Sequence, residues 1–288
     1  MRILSDKKII DALACPLCGA DITVTGKSLV CGGARKHCFD IGGGGYVNFG
    51  APAQSGGGDS KEAVRARSLF LNGGYYEPPA LCLAHKISEL VNINDGIIVD
   101  AGCGDGYYSS YIAENGYSVV GADISKFASD AAAKRMNSKN IENAFFSVAS
   151  VFELPIRDNT ASAVINVFAP CVEKEYARVL KPDGYLFVLS AGEEHLLGLK
   201  KVLYSQIHEN GDRADMPVIM EKVSEENISF DICVNGNDNV KALFAMTPYY
   251  WRTSREDARK LENLEELKTK VDMKLTVYKN TLSAKERT

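Results

Sequence analysis

Long apolar runs are absent from this 288-residue sequence. No run approaches the roughly 20 residues that a membrane-spanning helix needs, and the chain does not start with the apolar stretch of a secretory signal peptide. We therefore expect a cytoplasmic protein without a membrane partner. The apolar fraction of 45% and the charged fraction of 24% are ordinary for a globular protein. The length allows one α/β domain with a small appendage.

The sequence also lacks an excess of positive charge, with 33 Lys and Arg against 37 Asp and Glu and a net charge of −4. The overall charge therefore does not attract phosphate, which weighs against an RNA partner. Any contact with nucleic acid must come from local basic patches. The candidates are Arg65, Arg67, Lys134, Arg135, Arg252 and Arg255, although a solvated helix face accounts for each of them equally well.

Eight cysteines are present, but their arrangement does not favour disulfides, which are typical of short secreted chains. Cys15 and Cys18 are separated by two residues and are followed by Cys31, His37 and Cys38. Thiolates at this spacing can bind one cation, and three thiolates with one imidazole suit zinc. A redox C-x-x-C would need a thioredoxin-like βαβ context, which the sequence lacks. The spacing predicts a zinc site whose fourth ligand is His37 or Cys38.

Composition divides the chain into three parts. Residues 1–50 are rich in Cys and Gly, and their apolar pairs are too short for a core of their own, so that metal binding would supply much of the folding free energy. Residues 51–80 contain a flexible linker, Pro52–Ser60, and a helix over Lys61–Asn72. Residues 81–288 alternate between helical and strand patterns.

This third part predicts an α/β fold with a doubly wound, mostly parallel sheet, because alternating strands and helices imply right-handed crossovers. The predicted strands are Ile97–Asp100, Ser118–Asp123, Ala144–Val148, Ala163–Val167, Tyr185–Leu189 and Lys274–Tyr278. The predicted helices are Leu81–Val91, Tyr107–Asn115, Lys126–Met136, Glu173–Leu180, Glu194–His208, Asp238–Met246 and Arg255–Val271.

A glycine-rich turn follows the first of these strands. Without side chains, Gly102 and Gly104 let the backbone approach a ligand closely. The G-x-G-x-G spacing is too short for a dinucleotide fold and resembles the first motif of class I methyltransferases, which bind S-adenosylmethionine. Asp100 would then serve the ammonium group, and Asp123, about twenty residues after the glycines, would accept the ribose hydroxyls. The alternative is a plain turn with Asp123 as a helix N-cap.

Taken together, the motifs resemble the bacterial large-subunit rRNA (guanine-N1) methyltransferases over nearly the whole chain. The matching segments are Cys15–Cys18, His37–Asp40, Gly45–Asn48, Arg65–Arg67, Phe70–Leu71, Gly74–Tyr76, Gly102–Tyr108, Asp123–Lys126, Ala132–Arg135, Ala169–Cys171 and Met246–Arg252. The resemblance implies a class I methyltransferase domain over residues 81–288 and an N-terminal zinc-binding module that recognises RNA. It also implies a homodimer with an RNA-binding cleft, and a guanine of 23S rRNA near the peptide exit tunnel as substrate.

The resemblance also implies roles for particular residues of this sequence. The implied zinc ligands are Cys15, Cys18, Cys31 and His37, and the implied cofactor contacts are Tyr76, Gly104, Asp105 and His195. The bland alternatives are ordinary packing for Tyr76, a helix cap for Asp105 and a surface position for His195.

The catalytic base stays open at this point. Guanine N1 carries a proton that must leave before N1 can attack a methyl group, and His195 and Asp105 are the candidates for removing it. Phe168 or Tyr107 would stack on an extruded base, or simply pack. Two other functions compete with rRNA methylation: a class I methyltransferase acting on a small molecule, which the acidic charge favours, and a non-catalytic binding protein built around the metal module.

Overall fold

The structure, a computed structural model, describes residues 4–50, 58–206 and 217–281. In chain order the helices are α1 (Lys7–Ala12), α2 (Lys61–Asn72), α3 (Glu77–Leu90), α4 (Tyr107–Glu114), α5 (Lys126–Ser138), α6 (Glu173–Val179), α7 (Leu197–Leu203), α8 (Asn237–Ala245), α9 (Tyr249–Arg252) and α10 (Arg255–Arg259). The strands are β1 (Ile22–Thr25), β2 (Ser28–Cys31), β3 (Cys38–Asp40), β4 (Tyr46–Asn48), β5 (Ile97–Ala101), β6 (Val119–Asp123), β7 (Ala144–Val148), β8 (Ala161–Val167), β9 (Leu180–Ala191), β10 (Glu221–Asn235) and β11 (Glu266–Lys279). None of the described helices has the length and apolar character needed to cross a membrane.

Eight of these strands form one sheet in the order β10-β11-β9-β8-β5-β6-β7-β4. Neighbouring strands from β9 to β4 run parallel, whereas β11 pairs antiparallel with both β9 and β10. All five residues of the central strand β5 are buried, as is typical of a parallel sheet that is covered on both faces. The predicted doubly wound, mostly parallel sheet is confirmed.

The N-terminal segment is joined to this sheet through one of its own strands. Strands β1, β2 and β3 form a small antiparallel sheet, but β4 pairs in parallel with β7 at the edge of the large sheet. Ile9, Leu13 and Leu29 are fully buried in the same apolar cluster as Val99 of β5. The short apolar pairs of residues 1–50 therefore share a core with the large sheet.

The prediction for the C-terminal part is wrong in two places. The predicted helix over Arg255–Val271 is instead the short helix α10, followed by β11 from Glu266 onward. Strand β10 is missing from the prediction, although Ile228 and Phe230 alternate with polar residues as in a half-buried strand. The first half of β10 is charged and exposed because the strand lies at the edge of the sheet.

Other boundaries differ less. Helix α3 begins at Glu77, before the predicted Leu81, because prolines are tolerated in the first turn of a helix. Helix α7 is shorter than the predicted Glu194–His208, whose last two residues lie outside the described residues. Most of the predicted linker Pro52–Ser60 also lies outside them.

A cleft of about 2320 Å³ opens at the carboxyl ends of the parallel strands. Its lining includes residues at the ends of β5, β6, β8 and β9, residues of β10 and β11, and most residues of the segment Met246–Arg252. Open α/β sheets bind their ligands at this edge.

Candidate functional site

The four residues predicted as zinc ligands lie together. The sulfur atoms of Cys15, Cys18 and Cys31 and a ring nitrogen of His37 all lie within 4.8 Å of one another. The Gly19 N–H donates to the Cys15 carbonyl at 2.7 Å, and the Cys31 N–H donates to the His37 carbonyl at 2.9 Å. These two backbone hydrogen bonds close two turns, and the four ligand side chains on and beside these turns meet at one place.

The distances fit a tetrahedral zinc ion. Zn–S bonds of about 2.3 Å and Zn–N bonds of about 2.1 Å place neighbouring ligand atoms roughly 3.6–3.8 Å apart. The sulfurs of Cys18 and Cys31 are 3.7 Å apart, and those of Cys15, Cys18 and Cys31 lie 3.4, 3.5 and 3.6 Å from His37 Nδ1. Cys38 is exposed at the start of β3 and lies outside this cluster. The geometry therefore favours His37, and not Cys38, as the fourth zinc ligand.

The glycine turn connects β5 to α4. Gly102 and Gly104 have φ angles of 81° and 53°, in the left-handed region that favours glycine. A Cβ at Gly102 would lie 2.6 Å from the Cβ of Ala169, so this position has no room for a side chain. The Gly104 N–H donates to Oδ2 of Asp123 at 3.0 Å. The turn is thereby fixed to the end of β6.

Two carboxylates at the ends of β5 and β6 give the site a negative character. Asp100 is 2% exposed and accepts a hydrogen bond from Ser109 Oγ at 2.5 Å. Burial raises the pKa of Asp100 to about 7, and burial also raises the pKa of Asp123. A cationic ligand would stabilise both ionised groups. S-adenosylmethionine carries a sulfonium and an ammonium group, so the donor set fits it.

Asp105, in the same turn, is buried but is already paired. Its carboxylate forms an ion pair with Arg135 and accepts a hydrogen bond from Ser68 Oγ at 2.6 Å. The Arg135 side chain also donates to the Asp105 carbonyl at 3.0 Å. Asp105 therefore ties helices α2 and α5 to the glycine turn and lines the cleft at the same time.

Tyr76 and His195, which are 119 residues apart, are in contact in the buried wall of the cleft. The Asp272 N–H donates to His195 Nδ1 at 3.2 Å. The neutral ring must then carry its proton on Nε2, which donates to the Tyr76 hydroxyl at 3.1 Å. Burial lowers the pKa of His195 to about 4. Since both nitrogens are engaged, His195 is not placed to take a proton from a substrate.

The two aromatic candidates for base stacking differ in exposure. Phe168, in the loop after β8, is 38% exposed and stacks on the His195 ring with centroids 5.8 Å apart. The Asn166 side chain supports this loop by donating to the Pro170 carbonyl at 3.0 Å. Tyr107 is 4% exposed and packs inside the fold. Of the two rings, Phe168 presents more surface to the cleft.

The basic candidates fall into two groups. Three form ion pairs within the protein, namely Arg67 with Asp59, Lys134 with Asp130 and Arg135 with Asp105. The other three are exposed, namely Arg65, Arg252 and Arg255. Arg252 lines the cleft next to Trp251, which is 76% exposed. Of these six candidates, Arg252 is the one that both lines the cleft and is exposed.

Two families match parts of the chain: "Methyltransferase domain" over residues 98–184, and the zinc ribbon "RlmA, N-terminal" over residues 13–55. The 23S rRNA (guanine(748)-N1)-methyltransferase of Streptomyces fradiae is 29% identical over 270 residues, which cover 90% of this chain and 92% of the relative. Two candidate 23S rRNA (guanine-N1) methyltransferases, from Micromonospora griseorubida and Bacillus subtilis (YxjB), are each 32% identical over 66% of this chain. The match covers 69% and 68% of these relatives.

The chain belongs to the 23S rRNA (guanine-N1) methyltransferase family. The resemblance seen in the sequence is thus confirmed, together with the enzyme class. The cofactor predictions, S-adenosylmethionine for the methyltransferase domain and zinc for the ribbon, are confirmed as well.

Several residues that complete the site of this methyltransferase were not predicted. Ser68 contacts Asp105 from 37 residues away, and Asp272 sets the tautomer of His195 from 77 residues away. No local pattern marks such residues, because the fold alone brings them to their partners. Among the sequence patterns, the G-x-G-x-G motif indicated that a helix with free N–H groups begins after β5.

Proposed function

We propose that this methyltransferase transfers the methyl group of S-adenosylmethionine to N1 of a guanine in 23S rRNA. The observation that carries the proposal is the presence, in one chain, of an RlmA-type zinc ribbon and a methyltransferase domain. The names of three relatives at 29–32% identity support the same substrate. The acidic net charge does not oppose it, since the contacts can come from the cleft and the ribbon.

We assign the cofactor contacts to residues that line the inner part of the cleft. Asp100 binds the ammonium group, Asp123 binds the ribose hydroxyls, and the backbone at Gly102 and Gly104 lies against the cofactor. Tyr76, Asp105 and His195 complete this pocket. The bound cofactor supplies an electrophilic methyl group, so the protein acts mainly by aligning the two reactants and excluding water.

We assign the zinc ion to Cys15, Cys18, Cys31 and His37. Three thiolates and one imidazole leave no open position on a tetrahedral ion, which is the arrangement of a structural site. Its role is to hold the ribbon in shape for RNA while β4 fixes the ribbon to the large sheet.

The outer part of the cleft supports an RNA substrate. Pockets for single small ligands measure about 300–1,000 Å³, and this cleft of about 2320 Å³ leaves room for a nucleotide beside the cofactor. Phe168 and Trp251 are exposed aromatic residues of its lining, and Arg252, which follows Trp251 in the chain, lines it as well. Unpaired bases are commonly held by aromatic rings and guanidinium groups. We assign the contact with the extruded guanine to these three side chains.

The same family resemblance supports a homodimer with RNA bound between its protomers. Light scattering of the purified protein should give twice the chain mass of 31.3 kDa. A species of single-chain mass at working concentrations would contradict the dimer but not the reaction.

The reaction is tested by transfer of a labelled methyl group to unmodified 23S rRNA, followed by nucleoside analysis. We expect 1-methylguanosine from the unaltered protein and at least about a hundredfold less from Asp123→Ala, because the ribose contact fixes the cofactor's position. Asp11→Ala, which removes an exposed carboxylate on α1 paired only with Lys7 in the described structure, should match the unaltered protein. Methyl transfer to small molecules but not to this RNA would overturn the proposal.

A further inference from the structure

Asp272 is a half-buried acidic residue of β11 whose side chain lines the cleft. Its neighbours Val271 and Met273 are fully buried in the core, so Asp272 lies on the opposite face of the strand. One carboxylate oxygen, Oδ2, accepts a hydrogen bond from the Glu194 N–H at 2.9 Å. A side chain at Gly192 would overlap this carboxylate, so the glycine leaves the space that Asp272 fills. The carboxylate is thereby held in one position at the wall of the cleft.

Asp272 forms no ion pair with a Lys or Arg of the part of the chain that the structure describes. The titratable groups on the elements around it are His195 and Glu194 after β9, Lys200 and Lys201 on α7, Lys270 and Lys274 on β11, and Glu225 and Asp231 on β10. The two lysines of β11 are paired with Glu194 at 2.7 Å and with Glu225 at 3.4 Å. The second oxygen of Asp272, Oδ1, has no hydrogen-bond partner among the described residues, so it is available to accept a proton from a ligand.

The other carboxylates of the cleft lining are engaged or exposed. Those assigned to the cofactor are Asp100, Asp105 and Asp123. Those that form ion pairs within the protein are Asp59, Glu194, Glu225 and Asp257. Glu153 and Glu193 are exposed to solvent. Among the described residues of the lining, Asp272 is therefore the acidic side chain that is both fixed in place and without a charged partner.

Asp272 lies on the same wall of the cleft as the aromatic ring assigned to the guanine. The His195 ring connects the two, because it accepts the Asp272 N–H at 3.2 Å and stacks on Phe168 with centroids 5.8 Å apart. Phe168 has a φ angle of 53°, a left-handed conformation that residues with side chains rarely adopt and that is concentrated at functional sites. A base stacked on Phe168 is thereby brought alongside the wall that carries the carboxylate.

Methylation of guanine N1 needs a group of this kind. N1 carries a proton and is a poor nucleophile until that proton leaves. Neither earlier candidate is placed to take it, since both ring nitrogens of His195 are engaged and Asp105 is paired with Arg135. A carboxylate can accept the N1 proton through one oxygen and a hydrogen bond from the adjacent 2-amino group through the other. Adenine has an acceptor at N1 and would be repelled.

We propose that Asp272 is the general base of the reaction and that it contributes to the selection of guanine. The N1 proton passes to Oδ1 of Asp272 as N1 forms its bond to the methyl carbon. The bond between that carbon and the sulfur breaks, and its electron pair stays on the sulfur, which leaves S-adenosylhomocysteine. This inference rests on the proposed function, because it takes guanine N1 as the nucleophile and Phe168 as the stacking ring.

The test uses Asp272→Asn in single-turnover methylation of unmodified 23S rRNA at saturating S-adenosylmethionine. Formation of 1-methylguanosine at neutral pH should slow by at least about a hundredfold, the usual contribution of a general base. The amide oxygen can still accept the Glu194 N–H, and the backbone contact with His195 is unaltered. Calorimetric binding of S-adenosylhomocysteine should therefore stay within about twofold, and the melting temperature should not fall.

The pH dependence of the same rate separates a base from a structural role. In the unaltered protein the carboxylate takes the proton, so the rate should change little between about pH 7.5 and 9. In Asp272→Asn the N1 proton must first leave to water, so the rate should rise by up to about tenfold per pH unit. A merely structural defect would lower the rate by the same factor at every pH.

Glu193→Gln is the matched control, because it makes the same chemical change at an exposed carboxylate of the same cleft. Its rate and pH profile should match those of the unaltered protein. The inference alone is overturned by an unchanged rate in Asp272→Asn, by an equal loss at every pH, by a loss of S-adenosylhomocysteine affinity, or by a loss confined to Glu193→Gln. An unaltered protein that forms no 1-methylguanosine would instead overturn the proposed function.

Discussion

At the scale of single residues, Asp100 sets the pH at which the site is charged for its ligand. Its pKa is raised from 3.8 to about 7 by burial. Below that pH the carboxyl group takes up a proton and loses its attraction for an ammonium group. The pH dependence of binding therefore reports on this carboxyl group together with Asp123, whose pKa burial also raises.

We predict that S-adenosylhomocysteine binding weakens as the pH falls below 7, by up to about tenfold per pH unit. Calorimetric titrations on the acid and alkaline sides of pH 7 measure this slope. Asp100→Asn should bind weakly with a shallower profile, because its amide does not titrate while Asp123 still does. A flat profile for the unaltered protein would contradict the assignment of Asp100.

The stability of the cofactor-free protein should depend on the same group. Because the pKa of Asp100 is higher in the folded than in the unfolded chain, folding loses stability as the pH rises from about 4 to about 7. At pH 8 the ionised, buried carboxylate lowers the free energy of unfolding by an amount on the order of 4 kcal/mol, at about 1.4 kcal/mol per unit of pKa shift. We expect cofactor-free Asp100→Asn to melt at a higher temperature than the unaltered protein at pH 8. Equal melting temperatures at pH 8 would show that Asp100 is solvated.

Substitution of His195 by glutamine and by asparagine tests its two ring nitrogens separately. Glutamine keeps a donor near the position of Nε2, whereas asparagine keeps only an acceptor near Nδ1. Since Nε2 holds the Tyr76 hydroxyl, His195→Gln should keep cofactor affinity within about threefold and His195→Asn should lose about tenfold. Calorimetric binding constants for S-adenosylhomocysteine measure both losses. Equal losses in both variants would contradict a role of His195 in positioning the Tyr76 hydroxyl.

Distance along the chain explains which of these residues the sequence could identify. Asp100, the glycines and Asp123 belong to one βαβ unit, so their spacing alone predicted a shared site. Tyr76 and His195 meet from elements 119 residues apart, and only the resemblance to a family suggested them. The Tyr108 hydroxyl is buried without a hydrogen-bond partner among the described residues, which is a result of packing that no spacing in the sequence reveals.

At the scale of elements, the sequence was accurate where apolar periodicity coincides with burial. Helix α2 and strand β7 begin and end at the predicted residues. The predicted helix over Arg255–Val271 failed because Leu261, Leu264, Leu267 and Val271 recur at intervals of three or four residues, as on a helix face. In β11 the buried face alternates instead and includes Thr269. A polar residue on the buried face concealed the period of the strand.

The zinc segment should unfold together with the sheet edge to which β4 belongs. We predict that Cys31→Ser loses bound zinc and that its melting temperature falls by at least about 5 °C, since a few kcal/mol shifts a chain of this size that far. Cys38→Ser makes the same chemical change at an exposed position outside the cluster and should alter neither quantity. Zinc release assays and calorimetric scans provide both values. Loss of zinc without any change in the main transition would contradict a shared core.

At the scale of the whole molecule, the cleft separates two kinds of contact. Asp100 and Asp105, which are assigned to the cofactor, are buried residues of its lining, whereas Trp251, from the segment after α8, is 76% exposed. We predict that Trp251→Ala lowers kcat/KM for 23S rRNA by about 10- to 100-fold, the value of one stacked base, while binding of S-adenosylhomocysteine is unchanged. Leu69→Ala removes an exposed apolar side chain on α2 outside the cleft and serves as the control. A loss of cofactor affinity in Trp251→Ala would mean that the two contacts are not separate.

Strand β4 also determines where this protein could be recombined with a relative. The ribbon contributes residues 46–48 to the catalytic sheet, so a chimera joined after Asn48 would set a foreign strand against β7. The glycine run Gly42–Gly45 lies after the last metal ligand and before β4. A junction within this run transplants a complete metal site and leaves the sheet edge native. Exchange of the ribbon between relatives is therefore most readily achieved there, provided that the apolar face around Leu13 and Leu29 is matched.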